Sequence, residues 1–551
     1  MPSPATHLRA PLLWLLVPLM AGLIAAKLWP APACGLWPLA MLAGLAALGA
    51  GWAALHPGRA AGLAWGAGLA VSAGLGGFVL LQVRHPDLHA QDSRPPREVT
   101  VTLRVLQTFP AAPDARNLTG LGLVSAAGDQ DPELAGRRVY FSAIRRISVP
   151  PQRSGVYVIR GVLEPLSAGA AQAGFNDYLA NLGIHQRLTR AHVMREAAPP
   201  DGFQAFCTRT EDRLEGILRH GLETHPQTTS IYLAMLLGEK AVLSADQQNA
   251  YMRSGTFHIF SVSGLHVAAI AGAIYLLFRL LRVPRQFAVV IGLVVLWLYV
   301  EITGGSSPAE RSFLMIAFLS AYQTFRLPGN ALAALVAAAL FTLLLDPLQL
   351  FSTGFQMSYA VVIALVAMGR PLTEQWLAAW RPFALLPRPD WRWYHRRVDW
   401  AGRILLNAAA ACWTAFLAST PAGIGYFELF SPGSLLANLV IIPLSAIPLW
   451  AGFVSLVAGL AGLLPLSTLS NGVAALIIVL MDWLLQHGTN LPGMWFTAHF
   501  RADWLAPVSL GLMTAMFLAG AAGRWAPRHG GYWPPAVTLA LLVILGVKFG
   551  G

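Results

Sequence analysis

The chain has 551 residues, of which 56% are hydrophobic and only 12% are charged. A soluble protein would carry about 25% charged residues, so this composition excludes an ordinary soluble protein. The net charge of +12 comes almost entirely from arginine, which favours positively charged cytoplasmic loops and leaves an anionic partner as the alternative.

Three hydrophobic segments open the chain, at about 11–29, 36–55 and 61–82. Each is close to the length of about 20 apolar residues that crosses the hydrocarbon core of a bilayer. The first segment is longer than the core of a signal peptide and other spans follow it, so we expect it to be retained. Residues 1–83 are therefore predicted to form three transmembrane helices.

Residues 84–206 have a soluble-like composition, with alternating apolar and polar residues at 99–109, 117–124, 137–147 and 155–166. Alternation of this kind, bounded by glycine, aspartate and proline, predicts short strands and hence a small β-barrel or sandwich. A short helix is expected at 174–184 and an amphipathic helix at 205–220. Residues 207–255 are assigned to amphipathic and connecting helices.

Residues 256–551 are predicted to form the main membrane domain, which brings the polytopic α-helical chain to about thirteen spans. The distribution of arginines places 84–206 outside the inner membrane, and the seven arginines of 370–403 then fall on the cytoplasmic side. The apolar stretch 433–465 contains Pro443 and Pro448, which favours one crossing plus a re-entrant or broken half-helix.

The cysteines and histidines give no sign of a disulfide framework or a metal site. Cys34, Cys207 and Cys412 are far apart and form no CxxC pair, and the histidines form no HExxH motif. The sequence therefore predicts neither a metal nor a cofactor.

The stretch FHIFSVSGLHVA at 257–268 places ionisable groups where a membrane span is predicted. His258, Ser261, Ser263 and His266 recur at spacings of about three residues; on a helix, positions 258, 261/262 and 265/266 would stack along one face, and Gly264 would permit close helix approach. Ionisable groups at that depth are costly and usually face a protein interior or a wet pathway. We expect a polar stripe that lines a conduit; the alternative is a helix end with core histidines bonded to carbonyl groups.

Three further polar stretches interrupt the apolar spans, at 301–317, 350–360 and 425–443. Glu310 and Arg311 are the notable residues of the first, Gln356 and Ser358 of the second, and Asn438 of the third. The predicted topology puts all these stretches in the same outer half of the membrane domain, which favours one polar vestibule. For the stretch at 301–317, an ordinary outward loop with interfacial charges is the alternative.

An enzymatic interpretation has little support in the sequence. Ser263 and His266 lie three residues apart, but the GxSxG motif is absent and no carboxylate is placed to orient His266. A Walker A motif is also absent, so we expect neither an ATPase nor another enzyme. A transporter of another polymer or of a lipid-linked anion is the second hypothesis, and an intramembrane hydrolase is the third.

In their order along the chain, these motifs resemble the ComEC family of DNA-internalisation (competence) channel proteins. The resemblance covers about 84–450 and runs through LLGEKAVLS (236–244), GTFHIFSVSGLHV (255–267), ITGGSSPAERSFLM (302–315), DPLQLFSTGFQMSYAVV (346–362) and TPAGIGYFELFSPGSLLANLVIIP (420–443). By position, residues 263–266 match the family's SGLH core and Arg311 matches the arginine after its Gly/Ser loop. Residues 354–358 match its GFQxS block, and Asn438 belongs to its AN…P block.

The resemblance implies a channel that carries single-stranded DNA across the inner membrane during natural transformation, with an outside domain of the OB type. Such a barrel can offer single strands a basic groove and aromatic platforms. The candidate DNA-binding residues are Arg137, Arg138, Tyr140, Arg145, Arg146, Arg153, Tyr157 and Arg160. Residues 84–200 hold fourteen arginines and ten acidic residues, so any basic surface that binds DNA must be local. The alternative is that these arginines belong to a solvated face of the barrel and bind no DNA.

The partners that this reasoning implies are single-stranded DNA, membrane lipids, a periplasmic DNA-binding protein, and a cytoplasmic motor or single-strand-binding protein. Many family members also carry a C-terminal metallo-β-lactamase-like domain thought to degrade the other strand, whereas this chain ends in a predicted span. We therefore expect it not to cut DNA. Residues 84–206 have no cysteines for the disulfide that the family's outside domain can contain.

Overall fold

The computed structural model describes residues 10–30, 33–56, 59–89, 94–109, 117–127, 131–144, 151–166, 173–238, 243–260, 262–325, 330–523, 525–526 and 530–550. Within these ranges, eight helices are long and apolar enough to cross a membrane, and four shorter apolar helices accompany them. The polytopic helical architecture predicted from composition is confirmed.

Three helices open the chain at the predicted places: α1 (Leu13–Leu28), α2 (Ala33–Ala54) and α3 (Arg59–Arg84). α1 and α3 approach closely because glycines stand at their contact. A methyl group on Gly22 would overlap the carbonyl group of Gly74, and one on Gly77 would lie 2.6 Å from the carbonyl oxygen of Leu19. Small residues at such crossings give packing contacts that lipid cannot provide.

A closed five-stranded barrel follows, in the order β1-β2-β3-β5-β4. Its strands are β1 (Arg97–Phe109), β2 (Asn117–Ala127), β3 (Arg138–Ile144), β4 (Val156–Pro165) and β5 (Gln186–Ala198). β3 and β5 run parallel, whereas the other neighbours are antiparallel. Alternate side chains point inward, so Val101, Leu103 and Val105 of β1 are at most 2% exposed and form part of the barrel core.

The alternation rule predicts the first four strands but not β5. A bulge lies at Arg190, whose φ is +48°, and the pairing of β5 with β4 shifts there. The extra residue moves the inward-facing positions by one, so Leu188 and Ala191 are both buried although they are three residues apart. The short predicted helix before this strand is α4 (Ala173–Asn181).

Polar contacts hold the barrel against one end of the membrane helices. Lys27 of α1 donates to Asn181 at 2.5 Å. After the barrel comes α5 (Gly202–Arg219), which begins at Asp201; the carboxylate of Asp201 accepts from Ser154 at 2.7 Å and from the backbone N–H of Gln204 at 3.0 Å. These hydrogen bonds lower the pKa of Asp201 and tie α5 to the barrel.

The remaining helices form the membrane domain and its connections. They are α6 (Pro226–Leu236), α7 (Ala245–Arg253), α8 (Gly264–Leu280), α9 (Arg285–Ile302), α10 (Ser307–Thr324), α11 (Ala331–Leu345), α12 (Thr353–Ala364), α13 (Arg370–Ala379), α14 (Trp393–Phe427), α15 (Ser434–Leu460), α16 (Leu464–Gly488), α17 (Leu505–Ala522) and α18 (Trp533–Gly546). A π-helical segment, Leu365–Gly369, joins α12 to α13. Three short strands, β6 (Leu429–Phe430), β7 (Phe496–Phe500) and β8 (Val547–Phe549), pair into a small sheet that the sequence does not predict.

The prediction of one continuous span at 256–279 is wrong in its first part. Residues Phe257–Phe260 form a 3-10 turn, and α8 begins only at Gly264. His258 and His266 therefore do not share one face of a continuous helix. The break follows from Ser263, whose extended backbone lets it stand as the N-cap of α8, a position that serine favours.

The predicted broken or re-entrant helix within 433–465 is also not observed. α15 runs without interruption from Ser434 to Leu460 and includes both Pro443 and Pro448. Prolines are tolerated in apolar helices of this length because neighbouring groups and local adjustments satisfy the carbonyl groups that they leave free. A single helix therefore accounts for the whole stretch.

Candidate functional site

The helices α8, α10 and α12 all begin at one place, where three of the sequence motifs meet. A methyl group on Gly264 at the start of α8 would lie 3.0 Å from the hydroxyl oxygen of Ser312 in α10. One on Gly354 at the start of α12 would lie 2.9 Å from Nη2 of Arg311. We call this place the motif junction. Because each helix N-terminus carries a partial positive charge of about half an electron, three converging N-termini favour an anion there.

Arg311 is the buried cation of the motif junction, with 3% of its surface exposed. Its Nη1 donates to Ser307 Oγ at 2.6 Å, and that hydroxyl donates to Gln349 Oε1 at 3.2 Å. Gln349 in turn donates to Asp346 at 3.1 Å. Within the described ranges no carboxylate lies at ion-pair distance from Arg311, and its Nε has no hydrogen-bond partner. A buried charge without a counter-ion is costly, so this arrangement favours an anionic ligand.

Gln356 connects the motif junction to α14. Its amide nitrogen donates to the carbonyl oxygen of Leu350 at 3.0 Å, and its amide oxygen accepts from the hydroxyl of Tyr426 at 2.5 Å. The start of α12 is thereby fixed against the end of α14. Ser358 is half-buried on the same helix, α12.

His266 is fully buried and acts with Ser263 at the start of α8. Its Nδ1 lies 2.8 Å from Ser263 Oγ and accepts from the Ser263 backbone N–H at 3.4 Å. Both contacts complete a helix cap, so the serine–histidine proximity has a structural explanation. Within the described residues no carboxylate is bonded to this histidine, as a hydrolase triad would require.

The other predicted residues of the vestibule differ in exposure and in hydrogen bonding. His258 is exposed and donates from its ring to the Gly255 carbonyl. Ser261 lies outside the described residues. Asn438 is half-buried on α15, and no described group donates to its buried Oδ1. The start of α15 is close to this region, because a methyl group on Gly255 would lie 2.7 Å from Cβ of Ser434.

Exposed and buried residues stand side by side at the motif junction. Glu310, Gly264 and Gly354 are exposed, whereas Arg311 and His266 beside them are 3% and 0% exposed. Exposed glycines are notable here because their backbone groups become available to a ligand that approaches. The motif junction thus combines exposed helix N-termini with a buried cation.

Four aromatic rings form a row on the barrel and on α4, and the last of them, Tyr178, is near the motif junction. Phe109 and Tyr140 have ring centroids 6.2 Å apart, Tyr140 and Phe175 5.4 Å, and Phe175 and Tyr178 6.1 Å. Phe175 is 43% exposed and Tyr178 36%. Partial burial raises the pKa of Tyr178, and the guanidinium of Arg311 is near enough to oppose that shift. We call these four residues the aromatic strip; of its members, only Tyr140 is predicted from the sequence.

Described members of the predicted DNA-binding set lie on different strands, and two of its arginines are paired with carboxylates. Arg138 is exposed on β3 and Arg160 on β4, two strands that are not neighbours in the barrel. Arg160 is also paired with Glu98 at 2.8 Å, and Arg153 is paired with Glu301 at 3.1 Å. Charges paired in this way are less available for phosphate groups.

Tyr157 requires a correction, since it is not a stacking platform. It is 1% exposed and lies inside the barrel, where its hydroxyl accepts from the backbone N–H of Gln152 at 3.1 Å. The reason is the strand alternation, which turns Tyr157 inward together with Ile159. Arg137 is half-buried beside β3, and Arg145 and Arg146 lie outside the described residues.

The fold and the motif junction define a multi-pass helical membrane protein that carries a closed β-barrel and a buried cation at converging helix N-termini. The chain belongs to the competence protein family, whose sequence model matches residues 235–523, more than half of its length. The matched region contains the whole motif junction.

Three relatives have informative names. ComE operon protein 3 of Bacillus subtilis is 27% identical over 38% of this chain and 27% of its own length. Recombination protein 2 of Haemophilus influenzae is 24% identical over 53% of this chain and 36% of its own length. Competence protein ComA of Neisseria gonorrhoeae is 33% identical over 24% of this chain and 20% of its own length. The matches thus span between a fifth and just over a third of the length of these relatives, and no solved structure matches the chain.

Proposed function

We propose that this protein is an inner-membrane channel through which single-stranded DNA enters the cytoplasm during natural transformation. Membership of the competence protein family supports a role in DNA uptake, as do the names of two relatives. The observation that carries the proposal is Arg311, a buried cation without a described carboxylate partner, where three helix N-termini meet.

The proposed architecture has about thirteen crossings, obtained by adding α10 to the eight long and four shorter apolar helices. Residues 1–83 would form the first three crossings, 84–206 an OB-type domain outside, 207–255 connecting helices and 256–551 the channel domain. The closed order β1-β2-β3-β5-β4 supports the OB assignment. The seven arginines at 370–403 support a cytoplasmic location for that segment and an outside location for the barrel.

The proposed path runs from the aromatic strip to the motif junction. Bases would stack on the exposed rings of Phe175 and Tyr178, an interaction that every base can make. Phosphate groups would then meet the partial charges of the helix N-termini and the guanidinium of Arg311. Partial charges suit passage better than a row of arginines, because a polyanion must bind strongly enough to enter and weakly enough to leave.

Within this proposal the chain is a conduit and not an enzyme. Energy would come from a cytoplasmic motor or a single-strand-binding protein, and a periplasmic DNA-binding protein would deliver the substrate. Conversion of duplex to single strands would be the task of a separate nuclease. These partners are implied by the resemblance to the family and by the chemistry of a polyanion that has to be pulled across a membrane.

The test is uptake of labelled transforming DNA into the cytoplasm of cells that carry Arg311→Ala in place of the natural chain. We expect passage to stop, with partial recovery in Arg311→Lys, which keeps the charge but loses the bidentate geometry. The matched control is Arg370→Ala, since Arg370 is an 82% exposed arginine that pairs with Glu374. Normal uptake in Arg311→Ala at equal protein level would contradict the proposal, and import of another anionic polymer would favour the second hypothesis.

A further inference from the structure

A cavity with basic and aromatic walls lies where α14 begins, at the end of the molecule opposite to the motif junction. It has a volume of about 540 Å³ and is lined by Trp391, Trp393, Arg396, Arg397 and Trp400. The last four lie at positions i, i+3, i+4 and i+7 of α14 and hence on one helix face. Trp393 is 77% exposed and Trp400 61%, so their ring faces are open.

The charge of this cavity is not neutralised locally. Residues 380–403 contain six arginines and two aspartates, which gives 6 − 2 = +4. Of the two aspartates, Asp399 accepts from Arg403 at 2.9 Å. Within the described part of the chain, neither Arg396 nor Arg397 has a carboxylate at ion-pair distance. Two free guanidinium groups beside open indole rings match an anion that also carries flat rings.

The cavity is preformed by contacts in the loop before α14. Trp391 donates from its indole nitrogen to the Leu386 carbonyl at 3.1 Å, and its ring packs edge-on against Phe383 at 5.6 Å. Phe383 also contacts His395 at 4.5 Å. Trp391 is therefore held in place before a ligand arrives, which lowers the entropy that this side chain loses on binding.

The far end of the cavity lies beyond the layer of lipid headgroups. α14 has 35 residues, and at about 1.5 Å per residue it is about 52 Å long, against about 30 Å for the hydrocarbon core. If the exposed apolar residue Ile404 marks the edge of that core, Trp393 stands about 16 Å beyond it. The headgroup layer on each side is only about 5–8 Å thick, so the far end of the cavity projects into water.

The same helices connect this cavity to the motif junction. Gln356 at the start of α12 is bonded to Tyr426 at the end of α14, so α12 and α14 run antiparallel with these ends together. The opposite ends, where α13 finishes and α14 begins, meet in the same way: a methyl group on Gly402 would overlap the Trp380 ring. A strand that passes the junction along these helices would arrive at the cavity.

We propose that this cavity is a receiving site that binds single-stranded DNA as it emerges on the cytoplasmic side. The inference rests on the proposed function and adds a second DNA contact to it. Indole rings of Trp393 and Trp400 would stack on bases, and Arg396 and Arg397 would hold phosphate groups. Binding on the far side also opposes backsliding of the strand.

The test uses inside-out membrane vesicles that contain the full chain, so that added DNA reaches only the cytoplasmic face. Binding of a fluorescein-labelled 12-mer of thymidylate is followed by anisotropy at several salt concentrations. We expect the Trp393→Ala/Trp400→Ala variant to bind at least about tenfold more weakly. The Arg396→Gln/Arg397→Gln variant should lower the slope of log K against log salt by about 1.4.

Two controls make the result specific. Trp533→Ala removes another exposed tryptophan, 74% exposed, at the start of α18 and should leave binding unchanged. Vesicles without the chain report binding to lipid alone. Equal binding by the wild type and both double variants, or no binding above empty vesicles, would overturn the receiving site. If uptake in cells still depends on Arg311 in that case, the proposed channel stands and only the receiving site fails.

Discussion

Gly354→Ala tests whether the placement of Arg311, rather than its charge alone, matters for uptake. The new methyl group would lie 2.9 Å from Nη2 of Arg311, closer than carbon and nitrogen atoms normally approach, so the guanidinium must move. Its hydrogen bond to Ser307, now 2.6 Å, would lengthen or break. If the displaced guanidinium loses one hydrogen bond to a phosphate group, a loss of about 1.5–3 kcal/mol weakens phosphate binding by about 10- to 150-fold.

The same substitution has two opposite effects on the fold. Gly354 lies in the first turn of α12, where alanine is the better helix former by up to about 1 kcal/mol, but the weakened hydrogen bond between Arg311 and Ser307 costs more than this gain. We therefore expect uptake to fall about tenfold or more, and the thermal unfolding temperature to fall slightly. The matched control is Gly272→Ala in α8, where a methyl group meets nothing within 4 Å. Uptake at the wild-type rate in Gly354→Ala, at equal protein level, would refute the role assigned to Arg311.

Three further predictions concern the aromatic strip, the α12–α14 contact and the start of α8. Phe175→Ala should weaken the binding of single-stranded DNA to the purified chain, measured by anisotropy, by about 5- to 150-fold. Met194→Ala, which removes another exposed apolar side chain, should leave the affinity unchanged. Equal affinities of the Phe175→Ala variant and the wild type would exclude base stacking on Phe175. Tyr426→Phe should lower the free energy of unfolding by about 1 kcal/mol, because the hydrogen bond to Gln356 is lost. In a double-mutant cycle with Gln356→Ala, the two losses of free energy should not add. Additive losses would contradict the hydrogen bond between Tyr426 and Gln356. Ser263→Ala should lower the free energy of unfolding by about 1 kcal/mol, because the helix cap is lost. Neither the wild type nor this variant should react with a fluorophosphonate hydrolase probe. Labelling of the wild type that is lost in Ser263→Ala would favour an intramembrane hydrolase.

Much of the architecture could be predicted because it depends on local patterns. Apolar length gives the helices of the first 84 residues within a few positions, and period-two alternation gives β1 to β4. Where a local signal competes with another, the prediction fails. The bulge at Arg190 hides β5, and the capping preference of Ser263 ends the expected helix at 256–263.

The site could be predicted only in part, since its geometry depends on tertiary contacts. The sequence indicates Arg311, Gln356 and His266 as polar residues in apolar surroundings, and the structure places Arg311 and Gln356 on neighbouring helices of one junction. It cannot indicate Tyr426 as the partner of Gln356, because 70 residues separate them. Tyr157 and Phe175 show the same limit for aromatic residues, since a ring in an alternating strand and a ring on a helix look alike until burial is known.

The central claim is that the transported strand passes the motif junction, and cross-linking during uptake tests it most directly. A photoreactive amino acid replaces Glu310, which is exposed, and is activated while cells import labelled DNA. The control carries the same amino acid at Leu476, which is 71% exposed on α16 and faces lipid. The account predicts a covalent adduct between the chain and single-stranded DNA at Glu310 and none at Leu476. Adducts from a probe on the barrel, at Phe175, without any at Glu310 would contradict it.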